Sequence, residues 1–196
     1  MTYTEDFKCI LAKQDNVVNA NLFILRNSNP KKIKVFPEEV SSVLLEKYFE
    51  TLSVTTDESE FVDFIPDTVE KNTLQVINTE VLDLWPAMVT AKDRLQNVNR
   101  AEITVEDYNC SGNTIMMDIE FDNGEHVYFL TVYRNVAAWY RNNICFTKKE
   151  TGKFHQQSGN VLALTPWVDA VIFDKKCYII NEVNFNRIFK LSLIHI

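Results

Sequence analysis

The residues best suited to chemistry in this chain are acids. Asp118 and Glu120 alternate within Thr114–Phe121, a run with strand character, so both side chains would leave the same face and could share a cation. Converging carboxylates beside a lysine are what metal-dependent phosphodiester cleavage requires. The competing expectation is a solvent-facing row opposite Ile115, Met117 and Ile119. Asp169 lies inside an apolar strand, between Val168 and Ala170, where an acid needs either a capped backbone or a basic side chain as partner. Asp174-x-Lys176 resembles the end of an Asp…Asp/Glu-x-Lys nuclease pattern, but the same residue types are what a tight turn prefers. Asp118, Glu120 and Asp169 are therefore the candidate catalytic residues, in a chain whose balance of features favours a role other than an enzyme's.

Other chemistries find little support. No Gly-x-Gly-x-x-Gly or Gly-x-x-x-x-Gly-Lys-Ser/Thr loop is present to cradle phosphates. Gln157-Ser158-Gly159 lacks the preceding glycine of a nucleophile elbow. His126 and His155 stand 29 positions apart with no Cys or carboxylate at helical ligand spacing, which argues against zinc, and no metal or cofactor is expected. Cys9, Cys110, Cys145 and Cys177 form no Cys-x-x-Cys pair and read as reduced thiols.

Charge distribution carries more functional information. The formal charge is −7, which excludes a uniform attraction to nucleic acid or an anionic membrane. Between His126 and Val168, however, Arg134, Arg141, Lys148, Lys149 and Lys153 face only one acid, Glu150, and aromatic residues such as Tyr128, Trp139, Tyr140 and Phe146 are interleaved. A second basic island holds Lys31, Lys32 and Lys34. Cations with aromatic faces can hold phosphates and stack bases, so these eight residues are the candidate nucleic-acid contacts. Glu38–Glu70 is the opposite, with ten acids against Lys47 alone, and reads as a solvated helix face plus an acidic loop around Asp57–Glu60.

The elements that would position these residues suggest an α+β fold. Residues 1–98 form a mixed α/β part; residues 99–190 form a part rich in β-hairpins and antiparallel sheet, within the same or a second small domain. Val40, Val43, Leu44, Tyr48 and Leu52 mark one stripe of a helix opening at Pro37, and a second helix is expected from Pro86 to about Asn97. Asp122-Asn123-Gly124-Glu125 separates two alternating runs, Thr114–Phe121 and His126–Tyr133, a strong hairpin signal. Val168–Phe173 and Cys177–Ile180 flank a second turn, with Ile144–Thr147 and Val161–Leu164 as further short strands. Phe185, Ile188 and Phe189 recur at helical spacing and begin a C-terminal helix that is cut off. Leu191–Ile196 matches the translation of CTG-TCT-CTT-ATA-CAC-ATC, a transposon end used in sequencing libraries. Residues 191–196 are therefore expected to be adapter read-through, with the natural chain continuing past Lys190. The acidic N-terminus and the lack of an apolar run near the roughly 18 residues of a span suggest a cytoplasmic protein.

Four segments in the second half form an ordered set: Val161–Leu164, Val168–Phe173, Lys176–Asn181 and Phe185–Phe189. A strand, an Ile-Asp-type strand, a Tyr-Ile-Asn strand and a Phe-x-x-Ile-Phe helix start in that order resemble the KwaB-like family, the B component of the Kiwa anti-phage defence system. The Asn21–Arg26 strand, the Pro37-led helix and Phe61–Ile65 are similar to the family's opening part, so the resemblance spans Ala20 to Lys190. It implies a cytoplasmic antiviral defence protein that engages phage DNA without cutting it. It also implies a small transmembrane partner that would recruit it to the inner membrane, and homo-oligomers of the full-length form. No catalytic motif carries over onto named residues. Two alternatives remain: a protein-interaction scaffold of a defence complex, built on the acidic Glu38–Glu70 region, and a metal-dependent nuclease using Asp118, Glu120 or Asp169.

Overall fold

The computed structural model describes residues 2–26, 29–35, 40, 42–66, 71–95, 113–133, 156–157, 160–161 and 166–189. Thr2 caps the first helix, α1 (Tyr3–Ala12): its hydroxyl accepts the Glu5 N–H at 3.2 Å, and the Glu5 carboxylate accepts the Thr2 N–H at 2.7 Å. Phe7 and Ile10, one turn apart, are the face that α1 buries. Helix α2 (Ser42–Thr56) buries Leu44, Leu45, Tyr48, Phe49 and Leu52. It begins at Ser42, and Pro37, its expected start, lies outside the described residues. Val40 lies outside it, donating its N–H to the Ala20 carbonyl at 2.9 Å, and its buried side chain packs beside the sheet. Val43, expected in the stripe, is 51% exposed; Leu45 and Phe49 take its place.

Helix α3 (Trp85–Arg94) carries Pro86 in its first turn, where a missing N–H costs nothing. Helix α4 (Glu182–Phe189) is capped by the Asn181 carboxamide oxygen, which accepts the Asn184 N–H at 3.0 Å.

Eight strands form one sheet: β1 (Val17–Arg26), β2 (Asn29–Val35), β3 (Glu60–Asp63), β4 (Thr73–Asn78), β5 (Asn113–Phe121), β6 (His126–Val132), β9 (Ala170–Phe173) and β10 (Lys176–Ile179). Their spatial order is β2-β1-β5-β6-β9-β10-β4-β3. All neighbours are antiparallel except β3 and β4. Strands from both sides of position 98 therefore share one sheet, with those of the later part in its middle. Two short strands, β7 (Gln156–Gln157) and β8 (Asn160–Val161), pair separately. Both expected hairpins are present. Gly124 takes φ +79° in the β5–β6 loop. The β9–β10 loop is two residues long, Asp174 and Lys175, both at positive φ (44° and 61°), the pattern of a type I′ turn.

Both faces of the sheet are covered, which makes this an α+β fold of three layers. On one face α1 and α2 pack on Leu22, Ile24, Met117, Ile119, Phe121, Val127, Phe129 and Tyr178. On the other, α3 and α4 bring Met88, Phe185, Ile188 and Phe189 against Phe23, Met116, Leu130, Ile172 and Ile179. Because each central strand is buried on both sides, its residues are apolar at nearly every position and not merely at alternate ones. The exception is one corner of the second face, under α3.

Candidate functional site

The β5–β6 loop fixes the register that builds this corner. It places Asp118 opposite Tyr128 and Glu120 opposite His126, while β1 on the other side places Asn21 opposite Asp118 and Asn19 opposite Glu120. Paired residues share a face, so the even-numbered residues of β5 continue the surface of Met116 while Met117 and Ile119 look the other way. The result is two polar rows, Asn21–Asp118–Tyr128 and Asn19–Glu120–His126.

Lys92 descends onto the first row from the last turn of α3, with its side chain only 4% exposed. Its ammonium donates to Asp118 Oδ2 at 2.9 Å and makes a long contact with the Tyr128 hydroxyl at 3.5 Å. Asp93 Oδ1 lies 3.2 Å away at the rim. The other Asp118 oxygen, Oδ1, is 2.7 Å from His126 Nδ1. Tyr128 is stacked on the His126 ring (16° between planes) and meets Trp85 edge-on, with centroids 5.0 Å apart. The Lys92 ammonium also sits 5.3 Å from the Tyr128 ring centroid, within range of its negative face.

The electrostatics follow from these contacts. Burial pulls the Lys92 ammonium down, but the hydrogen bond and charge of Asp118 outweigh it and leave Lys92 above its ordinary value. Tyr128 is pushed up by burial, with the Asp118 charge adding to it and Lys92 partly opposing. Lys92 therefore stays cationic and neutralises the carboxylate. In neutral His126 the contact to Asp118 requires the proton on Nδ1, leaving the Nε2 lone pair free. His126 is 34% exposed, so that second nitrogen can reach solvent.

The candidate residues of the sequence are now placed. Asp118 is buried and not in a solvent-facing row, with Lys92 on one of its oxygens and His126 on the other. Glu120 is half-buried and makes no side-chain hydrogen bond or ion pair among the described residues. Asp169 is fully buried far along the sheet. Its Oδ2 accepts the Val132 N–H at 2.8 Å and its Oδ1 accepts the Asn184 carboxamide at 2.9 Å, while its own carbonyl accepts the Ile180 and Asn181 N–H groups. Asp174 forms the β9–β10 turn, and Lys176 pairs with Asp6 at 2.7 Å. Among the described residues, no three His, Cys, Asp or Glu side chains gather as a metal-binding group.

Lys31, Lys32 and Lys34 lie on β2, the edge strand beside β1. Arg134, Arg141, Lys148, Lys149 and Lys153 lie outside the described residues, as do the expected Ile144–Thr147 strand, Cys110 and Cys145. Of the other thiols, Cys9 is exposed and Cys177 buried, and both are free. No helix among the described residues is long and apolar enough to cross a membrane.

Sequence reading missed Lys92, Asn19 and the role of His126. Pairing the two runs across the Asn-Gly loop would have shown Glu120 opposite His126 and Asp118 opposite Tyr128. Nothing local announces Lys92, which reaches Asp118 only because α3 packs on the sheet. No family model, no curated protein and no solved structure matches this chain.

Proposed function

We propose that this protein is a non-catalytic, DNA-engaging component of an anti-phage defence system of the KwaB-like kind, acting with a small membrane partner and as a homo-oligomer. The observation that supports the reading is how the resembling segments are joined. Val168–Phe173, Lys176–Asn181 and Phe185–Phe189 are consecutive in space as β9, β10 and α4, and Asp169 ties them together: its side chain holds Asn184 of α4, and its carbonyl holds the amides of Ile180 and Asn181. Three of the four ordered segments are thus contiguous, while Val161, the start of the first, pairs apart from them in β8 and residues 162–165 lie outside the described residues.

The non-catalytic part of the reading is supported by Asp118 and Asp169. A metal-binding carboxylate commonly turns an unengaged oxygen to the cation, and here protein donors contact both oxygens of Asp118 and of Asp169, though not those of Glu120. For the DNA contacts, the reading relies on Arg134, Arg141, Lys148, Lys149 and Lys153, with Lys31, Lys32 and Lys34 as the second basic island. The test is binding to duplexes of several sequences over a salt series. Lys148→Glu/Lys149→Glu should weaken all of them alike and flatten the salt dependence by about two phosphate contacts. Binding unchanged in that variant, or magnesium-dependent cleavage lost in Asp118→Ala, would remove the proposal. Protection against phage in cells carrying the gene beside its membrane partner tests the defence role directly.

A further inference from the structure

The two margins of the sheet carry opposite charge. From Arg26 to Phe36 the chain holds Arg26, Lys31, Lys32 and Lys34 and no acid. That run ends β1 and makes up β2, and among the described residues no strand lies outside β2. Glu38 and Glu39, which follow, lie outside the described residues. At the far margin, Asp57, Glu58, Glu60 and Asp63 fall on β3 and the turn before it, and all four are exposed. Asp63 accepts the Tyr3 hydroxyl, a neutral donor, at 2.7 Å. The other three make no side-chain hydrogen bond or ion pair among the described residues. Lys71, one residue before the Asn72 carbonyl that accepts the Glu60 N–H at 3.0 Å, is a single base beside four acids. Seven strand spacings of about 4.8 Å put the margins roughly 30 Å apart. That is several times the ~8 Å reach of an exposed charge in physiological salt, so the margins cannot neutralise each other within one chain.

We infer that the β2 margin of one chain docks on the β3 margin of a second copy, head to tail. Charge excludes the pairing of like margins, because β2 on β2 sets lysine against lysine and β3 on β3 sets acid against acid. It also selects the orientation: at −7 overall, two copies repel unless a basic region of one meets an acidic region of the other. The backbone supports the same match. Alternate amides of an edge strand point away from its sheet, so β2 offers N–H donors as well as ammonium groups. The carboxylates of Asp57, Glu58 and Glu60 are acceptors for both. Direct strand addition at β3 is blocked, since α1 occupies its rim, with the Thr4 hydroxyl accepting the Phe61 N–H at 2.9 Å. The contact therefore sets side chains of one copy against a strand of the next. It is heterologous, so successive copies close into a ring or extend as a filament. It specifies the homo-oligomer proposed above and rests on that part of the reading alone. Of the two basic islands it uses the smaller, leaving Arg134, Arg141, Lys148, Lys149 and Lys153 to DNA.

The experiment is sedimentation velocity of the whole chain over a concentration and salt series. At about 50 mM salt the weight-average mass should rise above one chain with concentration, and at about 500 mM it should fall back to one chain. Lys31→Glu/Lys32→Glu/Lys34→Glu should weaken association about tenfold or more, and so should Glu58→Lys/Glu60→Lys. An equal mixture of the two reversed variants should associate again, because each carries the margin the other needs. The Glu58 and Glu60 side chains make no contact that holds the fold, so that variant's result stands even where the lysine variant folds poorly. A wild-type chain that stays single at every salt overturns this contact and the homo-oligomer together. Association that survives both reversals, or a mixture of the two folded variants that stays apart, overturns the contact and leaves the homo-oligomer standing. Loss of duplex binding in the lysine variant, with its mass behaviour unchanged, gives the margin to DNA and overturns the contact as well.

Discussion

Asp118, on β5, and Asp169, in the bend just before β9, are both buried acids, and the donors that meet them differ in kind. Asp169 accepts from a backbone N–H and from a carboxamide, both neutral donors. Asp118 is held by the Lys92 ammonium, a cation from the helix layer, and by the His126 imidazole of the neighbouring strand. The first arrangement joins β6, β9 and α4 into a scaffold. The second couples a helix to a half-exposed histidine, so a change at the surface can reach the interior through it. Burial alone therefore does not say how an acid is satisfied; the chemistry of its donors does.

The sharpest way to break the comparison is Lys92→Met. It leaves Asp118 buried with only His126 opposite, and should cost about 3–5 kcal/mol in urea unfolding. Adding Asp118→Leu should restore most of that loss, because the desolvation penalty goes with the second charge. Asp169→Ala should cost somewhat less, about 2–4 kcal/mol, since it orphans two neutral donors, the Val132 N–H and the Asn184 carboxamide. Asp169→Asn should recover about half of it, because one acceptor remains. If the two sites behaved alike under these substitutions, the distinction between them would be lost.

Alkaline pH acts on both regions in the same direction. The buried Cys177 thiol and the Tyr178 and Tyr128 hydroxyls are pushed up by burial, so the folded chain keeps protons that the unfolded chain releases. Lys92 is also raised, so its contribution is complete below the ordinary lysine range and fades only as pH climbs toward its higher folded value. In each case the unfolded state binds fewer protons, and stability falls as pH rises. Urea midpoints should be flat near neutrality and begin to drop above about pH 8.5, the ordinary thiol range. Cys177→Ala should lower the midpoint at pH 7 but remove the earliest part of the drop. The smallest effect is expected from His126→Gln, which touches a half-exposed contact and should cost under about 1 kcal/mol.

Local chemistry made much of the fold legible. The Asn-Gly loop, the Asp174–Lys175 turn, the Pro86 helix start and the Phe185–Phe189 spacing each report on a few neighbouring residues, and each element stands where those residues put it. The expected helical stripe does not extend to Val40, which spends its amide on β1, a contact made across the fold. The same limit hid the cluster. Asp118 and Glu120 were visible as a pair, but the pair was misread because alternation cannot tell whether a second helix layer covers that face. Asp169 was legible as an acid in need of a partner, and that partner came from β6 and α4. Lys92, with no pattern around it, could be recognised only once α3 was docked.

Strand order has one more consequence. The earliest strands to leave the ribosome, β1 with β2 and β3 with β4, end up at opposite margins of the sheet, and the four strands between them are translated later. Until those central hairpins emerge, the nascent margins have no inner neighbour and their greasy sides face solvent. Assembly of the sheet must therefore wait until β9 and β10 have been made. Ribosome-stalled chains ending before β9 should recruit holding chaperones, and chains long enough to expose α4 should release them.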